Sequence, residues 1–393
     1  MILQRVTFDE IVAAGAPYHP QSRALAPSIA IPHTAIADSP DDLVILDDAV
    51  LTPPVGIAWR GFWLGDAVQY LGPGLDWQRA AWLPGHYDPA SGTIDIDPAW
   101  LQPTETLGAP LFFVDSTIGS SNFAHFVFDT LPYGLLYRRA RRALPAIRPI
   151  LQPLKFPHQA ALFDPVFGIP YSQSLQHRTD RPVLVKHLAV PRRQTDLEHT
   201  PWRFSFAGIR HIRDAVIERW AGIAHGGVQP GYGRPPRLNW RRRGSAASRA
   251  REAAVASRGA PLKVHLHRIQ DVEALRRTGN LRGRNFANLE ALGPLLLGKG
   301  YVVYEPALVP LDQVVCDLSR AETIVALHGA GLANCIFAPP GARIFEITGH
   351  DSTWRCLEAL SAVLGHEFTE LRQPRPADPD CPLLDLVALA ARL

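Results

Sequence analysis

Residues 323–337 read Thr-Ile-Val-Ala-Leu-His-Gly-Ala-Gly-Leu-Ala-Asn-Cys-Ile-Phe: an apolar strand, the turn His328-Gly329-Ala330-Gly331, and a helix opening at about Leu332. In a parallel α/β sheet, ligands bind outside the carboxyl ends of the strands. Glycines let backbone N–H groups come close to a ligand, and the start of the next helix favours an anion, phosphate above all. His328 stands where it could donate to a diphosphate oxygen. Asn334, one turn into the helix, is placed either to bond a ligand or to cap the loop. The plainer alternative is a tight strand–helix turn with His328 in a local hydrogen bond. A histidine before the glycines and an asparagine after them favour the ligand site.

The elements around that turn have to be of the right kind. The second half of the chain predicts strands at 264–267, 301–304, 323–327, 343–347 and 367–371. Between them it predicts helices at 286–297, 311–320, 332–337 and 353–364, with Pro310 suited to a first helical position. Such alternation implies a parallel, doubly wound sheet. Residues 225–262 are rich in Gly, Pro, Arg and Ser without an apolar period and read as a linker or mobile loop. The expected division is therefore an N-terminal domain over 1–225, a linker over 226–262, a ligand-binding domain over 263–375 and a C-terminal helix over 376–393. In the first half, 111–115 and 182–190 read as strands. Residues 122–143 read as a helix that Pro132 should kink or restart, with Arg138, Arg139, Arg141 and Arg142 complementing the dipole at its end. Residues 204–224 are amphipathic, with Ile209, Ile212, Val216 and Trp220 on one face. The opening hundred residues read as short strands and loops.

The string HGAGLAN, followed by IFAPPGARIFEI, resembles the signature of glycosyltransferase family 61, including its bacterial members tied to capsular and other surface polysaccharides. Residues 263–268 (KVHLHR) are similar to the family's strand ending in Arg, and Arg284-x-x-x-Asn288-x-Glu290 to its next element. Residues 310–313 (PLDQ) are similar to the start of the helix before the His-Gly turn. In the first half, 122–132 (NFAHFVFDTLP) resembles the family's Asn-aromatic-x-His element. The resemblance runs over roughly 105–372. The long arginine-rich insert before Lys263 departs from it.

The resemblance implies a GT-B-like α/β architecture, two Rossmann-like domains facing across a cleft, with donor on the C-terminal half and acceptor on the N-terminal half. It implies an inverting transferase that uses a nucleoside-diphosphate sugar, with UDP favoured. The departing diphosphate gains charge; without a metal the enzyme must supply a helix start plus Arg or His. Arg268 and Arg284 are the expected clamp, with His328, Gly329, Ala330, Gly331 and Asn334 beside them, and Glu346 is placed to accept from ribose hydroxyls. Inversion needs one base on the acceptor hydroxyl. His125 is expected in that role, oriented by Asp129 four residues on, and Asp115 is the rival. No metal and no cofactor is expected; the partners are a nucleotide sugar and a glycan acceptor.

Several classes are disfavoured. Asp95-Ile-Asp97 has the form of a metal-binding D-x-D, but it precedes Pro98 far upstream and reads as an alternating edge strand; Asp41–Asp42 and Asp47–Asp48 read as loop charge. A hydrolase would need a G-x-S-x-G after its His-Gly-x-Gly loop, and none follows His328. A nicotinamide enzyme would want a third glycine where Asn334 stands. The alternative kept is a non-catalytic nucleotide- or sugar-binding protein. The chain of 393 residues is 47% hydrophobic and 20% charged, which suits globular domains. Cys316, Cys335, Cys356 and Cys381 form no C-x-x-C pair, so neither a disulfide scaffold nor a zinc ribbon is expected. Net charge is +3, and four of the 40 basic residues are Lys. That uniform bias toward Arg argues for genome composition rather than nucleic-acid binding. The basic block at 234–284 reads as a solvated face, as contact with an anionic membrane surface, or as the approach to a phosphate site. No signal peptide or membrane span is expected, which predicts a soluble cytoplasmic protein, at most peripheral to the inner membrane face.

Overall fold

The computed structural model describes residues 2–6, 43–52, 56–60, 62–64, 85–88, 93–114, 122–177, 181–191, 206–224, 261–268, 285–350, 356–378 and 382–393. The chain divides into two units, Met1–Ile212 and Arg213–Leu393. Most of the expected linker at 226–262 lies outside the described residues, as do Asp115 and Arg284.

The first unit is built on one mixed sheet. Its strands are β1 (Ile2–Val6), β2 (Leu43–Thr52), β3 (Gly56–Trp59), β4 (Phe62–Leu64), β5 (Gly85–Asp88), β6 (Thr93–Ile96), β7 (Glu105–Leu107), β8 (Leu111–Phe113), β9 (Arg148–Leu151), β10 (Leu175–Gln176) and β11 (Val183–Pro191). The order is β10-β9-β8-β11-β2-β3-β4-β1-β6-β5, with β7 also on β11. From β10 to β11 all neighbours are parallel. β8 is joined to β9 through the Tyr133–Ala143 helix, and β9 to β10 through the Pro157–Phe167 helix. Beyond β11 the sheet turns antiparallel, since β2, β3 and β4 follow as short hairpins. The expected Rossmann-like character thus belongs to the part of this unit made of strand–helix–strand units, and the opening hundred residues add a remainder that is antiparallel except where β1 joins β4 in parallel. Asp95-Ile-Asp97 corrects one expectation: β6 lies between β1 and β5 and is no edge strand. Asp97 caps the turn over Pro98–Leu101, accepting from the Ala99 N–H at 2.9 Å.

The core of this sheet is aliphatic and aromatic: Leu46, Leu51, Ile57, Leu111, Phe113, Ile150, Val185 and Leu188 are all buried together. The two crossover helices meet closely. A methyl group on Gly134 would lie 2.5 Å from Val166 Cγ1 and 2.9 Å from its carbonyl oxygen, so only glycine lets the backbones approach this far.

The second unit is a five-stranded, wholly parallel sheet. Its strands are β12 (Leu262–Leu266), β13 (Val302–Tyr304), β14 (Ala321–Leu327), β15 (Arg343–Thr348) and β16 (Glu367–Arg372), in the order β13-β12-β14-β15-β16. Every pair is parallel. The inner strands β12, β14 and β15 are mostly apolar and buried because both faces are covered. Phe286, Leu289, Leu292, Leu296 and Leu389 pack on one face against Val325, Leu327 and Ile347. The expected helices appear at Leu292–Gly298, Leu311–Leu318 and Cys356–Leu364, and the C-terminal one is Leu386–Arg392. The segment after the His-Gly turn differs: Ala330–Phe337 is a run of tight i→i+3 turns rather than an α-helix. Among the described residues no helix is long and apolar enough to cross a membrane.

Candidate functional site

The order β13-β12-β14 means that the chain leaves β12 outward and returns to its other side. Between β12 and β14 lies the point where the strand order reverses, the place where open α/β sheets bind their ligands. His328 and Arg268 stand at that point, at the carboxyl ends of β14 and β12.

Register fixes their company. Leu327 pairs with Ile347, and the His328 N–H donates to the Ile347 carbonyl at 2.8 Å, extending the ladder by one residue. Side chains alternate along a strand, so His328 shares a face with Glu346 and Thr348. His328 Nδ1 meets Glu346 Oε1 at 2.5 Å. The pair is deeply buried, His328 at 8% and Glu346 at 2% exposure. Buried ion pairs are poor stabilising devices, because desolvation consumes most of the attraction. The bond fixes the imidazole ring at the strand's carboxyl end. With Nδ1 bound to Glu346, the ring edge carrying Nε2 is the one turned to other partners.

Gly329 takes φ 155° and ψ −179°, a backbone region open essentially to glycine alone. Gly331 is exposed, and a Cβ there would meet nothing within 4 Å. Leu332 to Ala338 are buried, so the turn is a surface feature on a rigid base. Asn334 belongs to that base: it is buried, and its Nδ2 donates to the Gly331 carbonyl at 2.7 Å, holding the turn closed. Burial and the nearby Glu346 carboxylate push the Cys335 thiol up, so it stays protonated and unreactive.

Arg268 lies two positions beyond Leu266, which pairs with Ala326, so it is level with His328. Its Nη2 donates to Asn285 Oδ1. On the other alternation of β12, His265 is fully buried, with Nδ1 donating to the Val325 carbonyl at 2.9 Å and Nε2 facing His267 Nδ1 at 3.4 Å. Burial lowers His265 to about 3, outweighing the Val325 hydrogen bond. It also lowers His267, against the pull of Glu290. Asn288, part of the Arg-x-x-x-Asn-x-Glu string, works structurally: it donates to the Leu384 carbonyl at 3.0 Å and accepts from the Leu384 N–H at 2.7 Å, tying down the C-terminal segment.

In the first unit, Asn122 caps the short Phe123–His125 helix, its Oδ1 accepting from the Ala124 and His125 N–H groups at 3.0 and 3.4 Å. Phe126–Thr130 then widens into a π-helical turn, closed by the Leu131 N–H on the Phe126 carbonyl at 3.0 Å. Pro132 has no N–H to continue the ladder, and the helix restarts at Tyr133 as the proline predicted. Such π turns gather at functional sites. Here the turn buries Asp129, at 1% side-chain exposure, and sets its Oδ2 2.6 Å from His125 Nδ1. His125 keeps 15% side-chain exposure. The expected pairing of His125 with Asp129 is thus realised in geometry. Both units hold a histidine by Nδ1 against a buried carboxylate.

Sequence reasoning did not pick out three further residues at the edge of the second sheet. Thr348 pairs with Arg372 and Glu346 with Glu370, which puts Thr348, Glu370 and Arg372 on the face of His328. The alternation of Thr369-Glu370-Leu371-Arg372 was the available signal, but only the strand register shows what lies beside it.

A family model for glycosyltransferase 61 matches residues 123–345, which include His125, Asp129, Arg268 and His328. A search among curated proteins gave no match. The family match covers more than half of the chain, begins at the π-turn element and ends on the strand that carries Glu346, and the chain belongs to glycosyltransferase family 61.

Proposed function

We propose that the chain transfers a sugar, with inversion, from a nucleoside-diphosphate donor to a glycan acceptor, with UDP as the favoured nucleotide. The observation that supports this best is the braced His328–Glu346 pair beside the partly exposed Gly329–Gly331 turn, at the strand-order reversal of a parallel sheet. The turn's N–H groups, Arg268 and the Nε2 edge of the His328 ring would meet the diphosphate. Arg284 is assigned to the same clamp. Glu346 acts through His328, holding its ring, rather than on ribose directly.

In the first unit, His125 takes the acceptor proton on Nε2 while Asp129 holds Nδ1–H. The acceptor oxygen bonds to the anomeric carbon, the bond from that carbon to the diphosphate oxygen breaks, and the nucleoside diphosphate leaves with the electron pair. Its growing charge is what the second unit's donors favour over the ground state. The resemblance adds a GT-B arrangement, donor on the second unit and acceptor on the first. It also adds a surface-polysaccharide acceptor, hexose or pentose as the cargo, and a cytoplasmic setting.

The test is calorimetry with UDP and GDP, followed by product analysis from the nucleotide sugar that binds. Binding of neither nucleotide would remove the donor reading. Binding without transfer to any glycan, in a protein whose His125→Ala variant behaves identically, would favour a nucleotide-binding protein instead.

A further inference from the structure

A second polar assembly sits on the carboxyl edge of the same sheet. Thr348 is fully buried and donates Oγ1–H to Glu370 Oε1 at 2.7 Å. Arg372 Nη2 donates to both Glu370 oxygens, at 3.1 and 3.2 Å, and Nη1 reaches the His350 carbonyl at 3.4 Å. The Arg372 side chain is 41% exposed, so a ligand arriving from solvent can reach it.

As a stabilising device this assembly is weak. An exposed Arg–Glu pair contributes at most about 1 kcal/mol. Glu370 also stands directly opposite Glu346 in register, so two carboxylates occupy neighbouring strands on one face, an unfavourable placement by itself. The arrangement makes sense if each carboxylate serves to hold a donor in place: Glu346 holds His328, and Glu370, itself held by Thr348, holds Arg372. The two braced groups lie in one lateral row. His328 is level with Thr348, and Thr348 pairs with Arg372. Arg268 stands level with His328 on the other side. At ~4.8 Å per strand, Arg372 starts roughly 10 Å from His328, within the combined reach of its own side chain and a diphosphate bound at the turn.

We propose that Arg372, braced by Glu370 and Thr348, is a second anion-binding group of the donor subsite, and meets the diphosphate from the side opposite Arg268. The proposal rests on the donor reading above. Two guanidinium groups flanking the turn would share the charge that builds on the departing diphosphate, and neither needs to reorganise as it builds.

Calorimetry with UDP, GDP and inorganic pyrophosphate on wild type, Arg372→Ala, Arg372→Gln and Arg372→Lys tests it. Arg372 is partly exposed, so the fold should survive, and the melting point of each free variant checks this; the Gln variant keeps part of the aliphatic stem and a polar head if Ala does not fold. The expected result is that Ala and Gln weaken both the bound nucleotide and pyrophosphate by about tenfold, the size of one charge-assisted hydrogen bond, with Lys between them and wild type. Nucleotide affinity within twofold of wild type in the Ala and Gln variants would overturn the proposal. So would a loss for the nucleotide with none for pyrophosphate, which would put the contact on the nucleoside. Wild-type protein that binds neither UDP nor GDP would overturn the donor reading and this proposal together, whereas nucleotide binding unaffected by Arg372 overturns only this one.

Discussion

Asp129 lies one helical turn below His125 and meets its Nδ1 at 2.6 Å, with the carboxylate buried and the imidazole at the surface. A carboxylate in that position fixes the ring and leaves the neutral lone pair on Nε2. His125→Ala should lower kcat by about 10²–10⁴, the usual worth of a positioned general base, with little change in donor KM. Asp129→Asn should cost less, because the amide preserves shape and can still accept from Nδ1–H while losing the charge. Steady-state kinetics decide it; unchanged turnover in His125→Ala would remove His125 from the chemistry.

The second His–carboxylate pair predicts a binding effect. Glu346→Gln keeps the volume beside His328 but removes the carboxylate that holds its Nδ1. Donor affinity should fall by roughly five- to tenfold, about 1 kcal/mol or slightly more, and His328→Ala should lose more. Calorimetry with UDP reads both. If Glu346→Gln binds as tightly as wild type, the pair serves packing alone.

Turnover is expected to survive EDTA. Glu346 and Glu370, which share the face of His328, are engaged by donors: Glu346 by His328, and Glu370 by Thr348 and Arg372. Activity lost in chelator and restored by manganese would contradict this.

Acid should destabilise the second unit. His265 is lowered to about 3 and His366 to about 4, both chiefly by burial. Between those values and the ordinary 6.5, the unfolded chain binds protons that the folded chain does not. Stability is therefore full above about pH 6.5 and falls as pH drops toward 4. His265→Asn, which can still donate to the Val325 carbonyl, should show a shallower fall. Denaturant titrations at pH 7, 5.5 and 4.5 measure the slope; parallel slopes for both proteins would assign the acid sensitivity elsewhere.

Gly134→Ala should destabilise the first unit by about 1–3 kcal/mol, the usual cost of overpacking. The new methyl group would press on the Val166 backbone, which cannot rotate away as a side chain tip could. An unchanged melting temperature would mean that the two helices can part at little cost.

The second sheet was legible because a parallel strand covered on both faces is a bare apolar run, and such runs alternated with helical ones from Leu262 to Arg372. The opening hundred residues were not, since short antiparallel strands such as β3 and β4 draw their identity from cross-strand partners rather than local sequence. His125 and Asp129 could be paired from helical spacing alone. His328 and Glu346 could not: their contact depends on how β14 and β15 line up, and a strand-end glutamate read in isolation points to solvent. Arg372 was passed over for the same reason. The bond from Asn334 Nδ2 to the Gly331 carbonyl, which spacing alone does not show, ties Asn334 to the turn.

β2 has a further consequence. One of its neighbours, β3, follows within a few residues, but the other is β11, and Asp47 meets His187 across a separation of 140 residues. During synthesis, β2 must wait for about 140 further residues to leave the ribosome before its second edge can be covered. Closing so long a loop is slow, and until then an apolar strand edge is open to wrong partners. Nascent chains truncated before Val183 should therefore need chaperones to stay in solution, while those released after Pro191 should need them far less.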